Sequence, residues 1–114
     1  MELTSHLHIL WTQPDFLTME KMVHMYSTNS LKNGWWEEVT VIIWGATAKF
    51  AAEDPAAQAC MKSMMDKGVH LSACRACADQ LGVTEVLETL GVEVIYWGDP
   101  LTKLLKDKSP LLTV

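Results

Sequence analysis

The segment Cys74-Arg75-Ala76-Cys77 is the part of this sequence best equipped for covalent chemistry. A thiolate is a nucleophile, and a spacing of three residues on a helix brings the second sulfur back to nearly the same face as the first. Cys74 falls where a strand should give way to a helix. The free N–H groups and dipole at a helix start favour an anion there, and so thiolate over thiol. Arg75 adds a positive charge if its side chain turns toward the sulfur. Cys77 is then placed to resolve a disulfide or to accept sulfur from Cys74. The plain alternative is that both are small buried hydrophobes, as most free cysteines are. What argues for more is the position of Cys74 at a strand end.

Other chemistries find less support. A structural zinc site needs four ligands, and no second Cys-x-x-Cys pair exists; Cys60 and His70 are the nearest further candidates, with nothing to fix their geometry. No metal and no organic cofactor is expected. Of the four histidines, His6 and His8 share one face of the first strand if that strand extends back to His6, and His24 lies in a helix. Each reads as a satisfied or exposed structural residue. The sequence has no H-x-x-x-H spacing, no Ser-centred nucleophile elbow, no Walker lysine loop and no G-x-G-x-x-G. Met19, Met22 and Met25, with Met61, Met64 and Met65, are spaced for helix faces that fill a core or a subunit contact. Adjacent Trp35 and Trp36 cannot both point inward, so at least one is expected near a surface contact.

The elements that must position the cysteines alternate along the chain. Residues 7–12 form an apolar run stopped by Pro14-Asp15 and read as a strand. Residues 16–32 have apolar positions near helical spacing and end at Asn33-Gly34. Residues 39–44 are β-branched and almost continuously apolar, as in a strand covered on both faces, and Gly45 closes them. Residues 46–67 are helical in composition but divided by Asp54-Pro55, a cap followed by a first-turn proline. Residues 69–73 read as the third strand, with Cys74 at its end and a short helix over 76–81. Thr84 is expected to cap a helix to Leu90. Residues 92–97 read as the fourth strand, Asp99-Pro100 opens a helix through Lys106, and 111–114 form a last strand.

Strands alternating with helices imply an α/β fold, a three-layer α/β/α arrangement around a largely parallel five-stranded sheet. Right-handed crossovers bring all the strand ends to one edge, where ligands bind in such sheets. That edge carries Gln13, Gly45, Cys74 and Gly98. With Trp44, Arg75 and Trp97 beside them, these residues are the expected substrate-binding set around Cys74 and Cys77. The first strand should lie inside the sheet.

The chain has 114 residues, which fits one domain, 1–114, able to bury a core without disulfide staples. With 49% hydrophobic residues it is too apolar for a disordered tail. No uncharged stretch is long enough to span a membrane. A net charge of −5 would repel phosphate backbones, so direct nucleic-acid binding is not expected. Three cysteines make no disulfide framework. Residues 1–12 lack the features of a secretion signal, and the expected compartment is the cytoplasm, where thiols stay reduced.

The segment from Gly68-Val69-His70 through Cys74-Arg75-Ala76-Cys77 to Leu81-Gly82-Val83 resembles the cysteine segment of DsrE-like proteins. Val41-Ile42-Ile43-Trp44-Gly45, Leu90-Gly91-Val92-Glu93-Val94, Leu101-Thr102-Lys103-Leu104-Leu105 and Leu112-Thr113-Val114 are similar to the same family. The resemblance implies a compact α/β/α fold, assembly into trimers or hexamers, and sulfane sulfur carried as a persulfide between donor and acceptor proteins. Cys74 matches the carrier cysteine by its distance from the following glycine. The best-characterised relay members have a small residue where this chain has Cys77, so the resemblance is to a branch with two cysteines. A non-catalytic binding domain and a Cys74–Cys77 disulfide redox protein are the competing readings.

Overall fold

The computed structural model describes residues 5–114; residues 1–4, part of the stretch read for a secretion signal, lie outside the described residues. Five strands form one sheet in the order β4-β3-β2-β1-β5: β1 His6–Trp11, β2 Glu38–Ile43, β3 His70–Cys74, β4 Glu93–Ile95 and β5 Leu111–Thr113. Every pairing is parallel. β1 is interior, between β2 and β5, as expected. Helices α3 Ala46–Glu53, α4 Pro55–Asp66, α5 Arg75–Leu81, α6 Thr84–Thr89 and α7 Gly98–Lys106 connect the strands.

Strand alternation divides the apolar residues between two faces. One face carries Leu7, Ile9, Trp11, Val39, Val41, Ile43, Leu71, Ala73 and Val94. It packs against Met19, Val23, Ala48, Ala51, Ala57, Met61, Met64, Ala78, Val83 and Leu87 as the main core. The other face carries a smaller cluster, Ile42, Cys74 and Trp97, covered by Leu101 and Leu104 of α7. Hence the continuous apolar run of β2: Val41 and Ile43 face the large core while Ile42 faces the small one.

Several boundaries differ from the sequence reading. The helix expected over 16–32 is α-helical at Phe16–Thr18 (α1) and Met25–Lys32 (α2), but its middle, Met19–His24, is π-helical. That middle turn supplies Met19 and Val23 to the core. Asp15 caps the start of α1, accepting the Thr18 N–H at 2.8 Å, and this bond holds the Asp15 carboxyl below the usual range. β2 stops at Ile43, because Trp44 N–H turns to Thr47 Oγ1 at 3.1 Å. β4 is shorter than residues 92–97: only Glu93, Val94 and Ile95 pair with β3, and Trp97 becomes the cap residue of α7. Thr84 caps nothing; it is the first residue of α6, and its hydroxyl donates to the Asp79 carboxylate. The break at Asp54-Pro55 is where expected, with Ala57 N–H on Asp54 Oδ1 at 3.0 Å.

Candidate functional site

Cys74 is both the last residue of β3 and the cap residue of α5, with φ −73° and ψ 119°. Its extended backbone ends the strand and starts the helix with no side chain capping the first turn. The thiol is only 3% exposed, packed beside Ile42 and Trp97. Cys77, on the first turn of α5, packs against the same small cluster and also against the main core. It is half-buried, and it lines a groove of about 590 Å³ bounded by the loop after β1, by α3 and by α5. The more accessible of the two thiols is therefore Cys77, whereas the sequence reading gives the first chemical role to Cys74.

The expected binding set separates into parts. Gly45 joins Cys77 in the groove wall. Its φ of 71° and ψ of −130° lie in a region open essentially to glycine, and this conformation turns the chain from β2 into α3. Trp44 and Trp97 belong with Cys74, in the small cluster. Gln13 is exposed, and its carbonyl accepts the Trp11 indole N–H at 2.9 Å. Gly98 is exposed at the start of α7, where its carbonyl accepts the Thr102 hydroxyl at 2.8 Å. Arg75 has other partners: its guanidinium donates to the Val94 carbonyl at 2.9 Å and lies 3.4 Å from Glu88 and 4.0 Å from Asp79. It ties α5 to β4 and α6, with two carboxylates offsetting its charge.

Two features of the site were not anticipated. Thr47 is fully buried and its hydroxyl donates to the Trp11 carbonyl at 2.8 Å, joining the ends of β1 and β2 beneath the groove. The second is a polar row on the sheet face that holds Cys74. His6 Nε2 lies 2.8 Å from Thr40 Oγ1, which lies 3.2 Å from His70 Nδ1. His70 Nε2 is 3.3 Å from the Glu93 carboxylate, which accepts the Ser72 hydroxyl at 2.7 Å. Ser72 in turn accepts the Trp97 indole N–H at 2.8 Å. The row thus fixes the indole that covers Cys74.

His8 lies against this row, its ring stacked on His6 at 4.1 Å and edge-on to Trp97 at 6.1 Å. Its Nδ1 is buried without a hydrogen-bond partner, so the expectation of a satisfied or exposed histidine fails here. Burial, with His6 and His70 adding repulsion, lowers its pKa to about 4. Among the described residues no three histidine, cysteine or carboxylate side chains are placed to hold a metal ion. The third cysteine, Cys60, sits apart on α4; burial and the nearby Glu20 charge push its thiol up, which keeps it protonated.

A parallel five-stranded α/β protein with a cysteine pair at the junction of β3 and its following helix is the class these features define. The chain belongs to the DsrE/DsrF-like family, whose sequence pattern matches residues 15–111. Among solved structures, it is similar to a conserved protein of unknown function, BT1422, from Bacteroides thetaiotaomicron. The two share 36% identity and a TM-score of 0.96, over 100% of this chain and 98% of that one. A comparison with curated proteins found no match. Among the described residues, no helix is long and apolar enough to cross a membrane.

Proposed function

We propose that this protein is a cytoplasmic sulfur carrier that takes up sulfane sulfur at Cys77, stores it as a persulfide on Cys74, and returns it to an acceptor thiol. The observation that carries the reading is the pairing of a buried thiol with a groove-lining thiol one helical turn away, in one apolar cluster at the strand ends. Membership of a family associated with sulfur relay supports it.

The chemistry is thiol exchange at sulfane sulfur. The Cys77 thiolate attacks the terminal sulfur of a donor persulfide, R–S–SH. The donor S–S bond breaks, R–S⁻ leaves, and Cys77 becomes Cys77–S–SH. The Cys74 thiolate then attacks that outer sulfur, forming Cys74–S–SH and regenerating the Cys77 thiolate. One neutral sulfur atom moves at each step, with no external oxidant or reductant. Release to an acceptor runs the same steps in reverse. Burial of Cys74 keeps the cargo from adventitious thiols.

The test is intact mass after exposure to a sulfane-sulfur donor. The wild-type chain should gain one sulfur atom, removable by cyanide, and Cys74→Ser/Cys77→Ser should gain none. Retention of the full adduct by the double variant would overturn the proposal. An acceptor protein would dock at the strand-end edge, where the groove opens beside Cys77. The same reading includes a homo-oligomer, supported by the exposure of Leu105 (58%) on α7 and of Tyr96 (65%) just before it, next to the smaller core. Light scattering should return a multiple of 12.8 kDa, and a monomeric mass at micromolar concentration would contradict that part.

A further inference from the structure

The groove that admits Cys77 has a composition of its own. Its walls are mostly apolar, with Pro14, Phe50 and Leu81 among them. At about 590 Å³ it lies within the volume range of small-molecule sites, roughly 300–1,000 Å³. Two opposite charges, Lys49 and Glu53, stand on the same wall, one turn apart on α3. Such an i,i+4 pair can bridge on a helix surface. Here both side chains are exposed, and neither is in an ion pair with any described residue. An apolar groove carrying one unpaired cation, one unpaired anion and a thiol is complementary to a small ligand with a carboxylate, an ammonium and a reactive sulfur.

We infer that the donor to Cys77 is a low-molecular-weight zwitterionic persulfide, of the amino-acid or short-peptide class, rather than a persulfide held on a protein surface. This rests on the carrier reading above and names its substrate class. Lys49 takes the carboxylate and Glu53 the ammonium, while the apolar wall holds the carbon chain. The terminal sulfur is presented to Cys77. Attack then proceeds as described, with the ligand's own thiolate as leaving group.

The experiment compares initial loading rates of the full chain with cysteine persulfide and with benzyl persulfide, which carries neither charged group. Lys49→Glu and Glu53→Lys should each slow loading by cysteine persulfide about tenfold, a factor within reach of removing one charge contact and adding a like-charge one. Loading by benzyl persulfide should stay unchanged in both. The double swap Lys49→Glu/Glu53→Lys should recover much of the lost rate, because a zwitterion can bind with its ends exchanged. Equal rates for wild type and single variants with cysteine persulfide would overturn the inference and leave the carrier reading standing. Equal slowing with both donors would also overturn it, since the effect would not depend on ligand charge. Absence of loading by either donor in the wild-type chain would overturn the carrier reading, and the inference with it.

Discussion

Replacing Trp97 by alanine is expected to destabilise the protein by about 3–5 kcal/mol, the range for truncating a large buried aromatic. The ring is 5% exposed and, with Ile42 and Cys74, forms the centre of the small core. That core is small, with Leu101 and Leu104 of α7, Cys77 of α5, and Leu10, Trp44 and Ile95 packed against it, so few side chains are present to collapse into the space left. The change also leaves Ser72 Oγ without its indole donor. A second effect follows from position. Cys74 loses the side chain that covers it, so its alkylation in a Cys60→Ser/Cys77→Ser background should accelerate about tenfold or more, as for any thiol brought from burial to solvent. Trp97→Phe separates the two contributions: it keeps most of the packing and loses the hydrogen bond, at a cost of about 1–2 kcal/mol. Urea unfolding and alkylation kinetics check these outcomes. Unchanged Cys74 reactivity in Trp97→Ala would mean that the indole does not shield the thiol.

The second large effect is acid sensitivity arising from His8. Its pKa is lowered from the ordinary 6.5 to about 4, by burial first and then by His6 and His70. Above pH 6.5 His8 is neutral in both folded and unfolded chains, and stability is at its full value. As pH falls below 6.5 the unfolded chain binds a proton that the folded chain refuses, so stability declines. The decline levels off once pH passes about 4 and the folded form is protonated too. Each pH unit of difference corresponds to about 1.4 kcal/mol at most. Water reaching the half-buried ring reduces the total to about 1–2 kcal/mol.

His24, also lowered, by burial and then Lys67, adds a loss of the same sign. The lowered carboxyl of Asp15 loses its contribution only at more acid pH, below 3.8. The comparison is therefore between wild type and His8→Leu at pH 7 and pH 4.5, by urea midpoint. The variant should lose less stability than wild type on acidification, and an equal loss would contradict the assignment to His8.

The alternation of strands and helices was legible because the ends of the elements carry their own signals. Examples are Asp54-Pro55 at a helix start and Gly45 at a turn that needs positive φ. The placement of Cys74 at a strand-to-helix junction was legible for the same reason. The relative burial of the two thiols was not. It depends on α7 and Trp97 folding back over the small core, a contact between residues 74 and 97 that no local pattern encodes. The partners of Arg75 were not legible because Val94 and Glu88 come from elements later in the chain.

The histidine row shows the limit well. That His6 and His8 share a face follows from strand parity. Their meeting with Thr40, His70 and Glu93 depends on β1, β2, β3 and β4 being neighbours in a particular register. The groove likewise exists only because α3 and α5 come together at the same edge, which places Lys49 and Glu53 opposite Cys77. Thr84 shows propensity losing to geometry: its hydroxyl finds a carboxylate in the preceding helix before it can cap its own.

The central claim is that the two cysteines act in sequence, the groove-lining thiol first and the buried thiol second. Trypsin cuts after Arg75, which lies between them, so the two sulfurs fall on different peptides. The most direct test is a quenched time course of loading by cysteine persulfide, with alkylation at each time point and digestion. Sulfane sulfur should appear first on the Cys77 peptide, then pass to the Cys74 peptide as the first declines, and Cys77→Ser should abolish rapid loading of Cys74. Loading of Cys74 at an unchanged rate in Cys77→Ser would contradict the account.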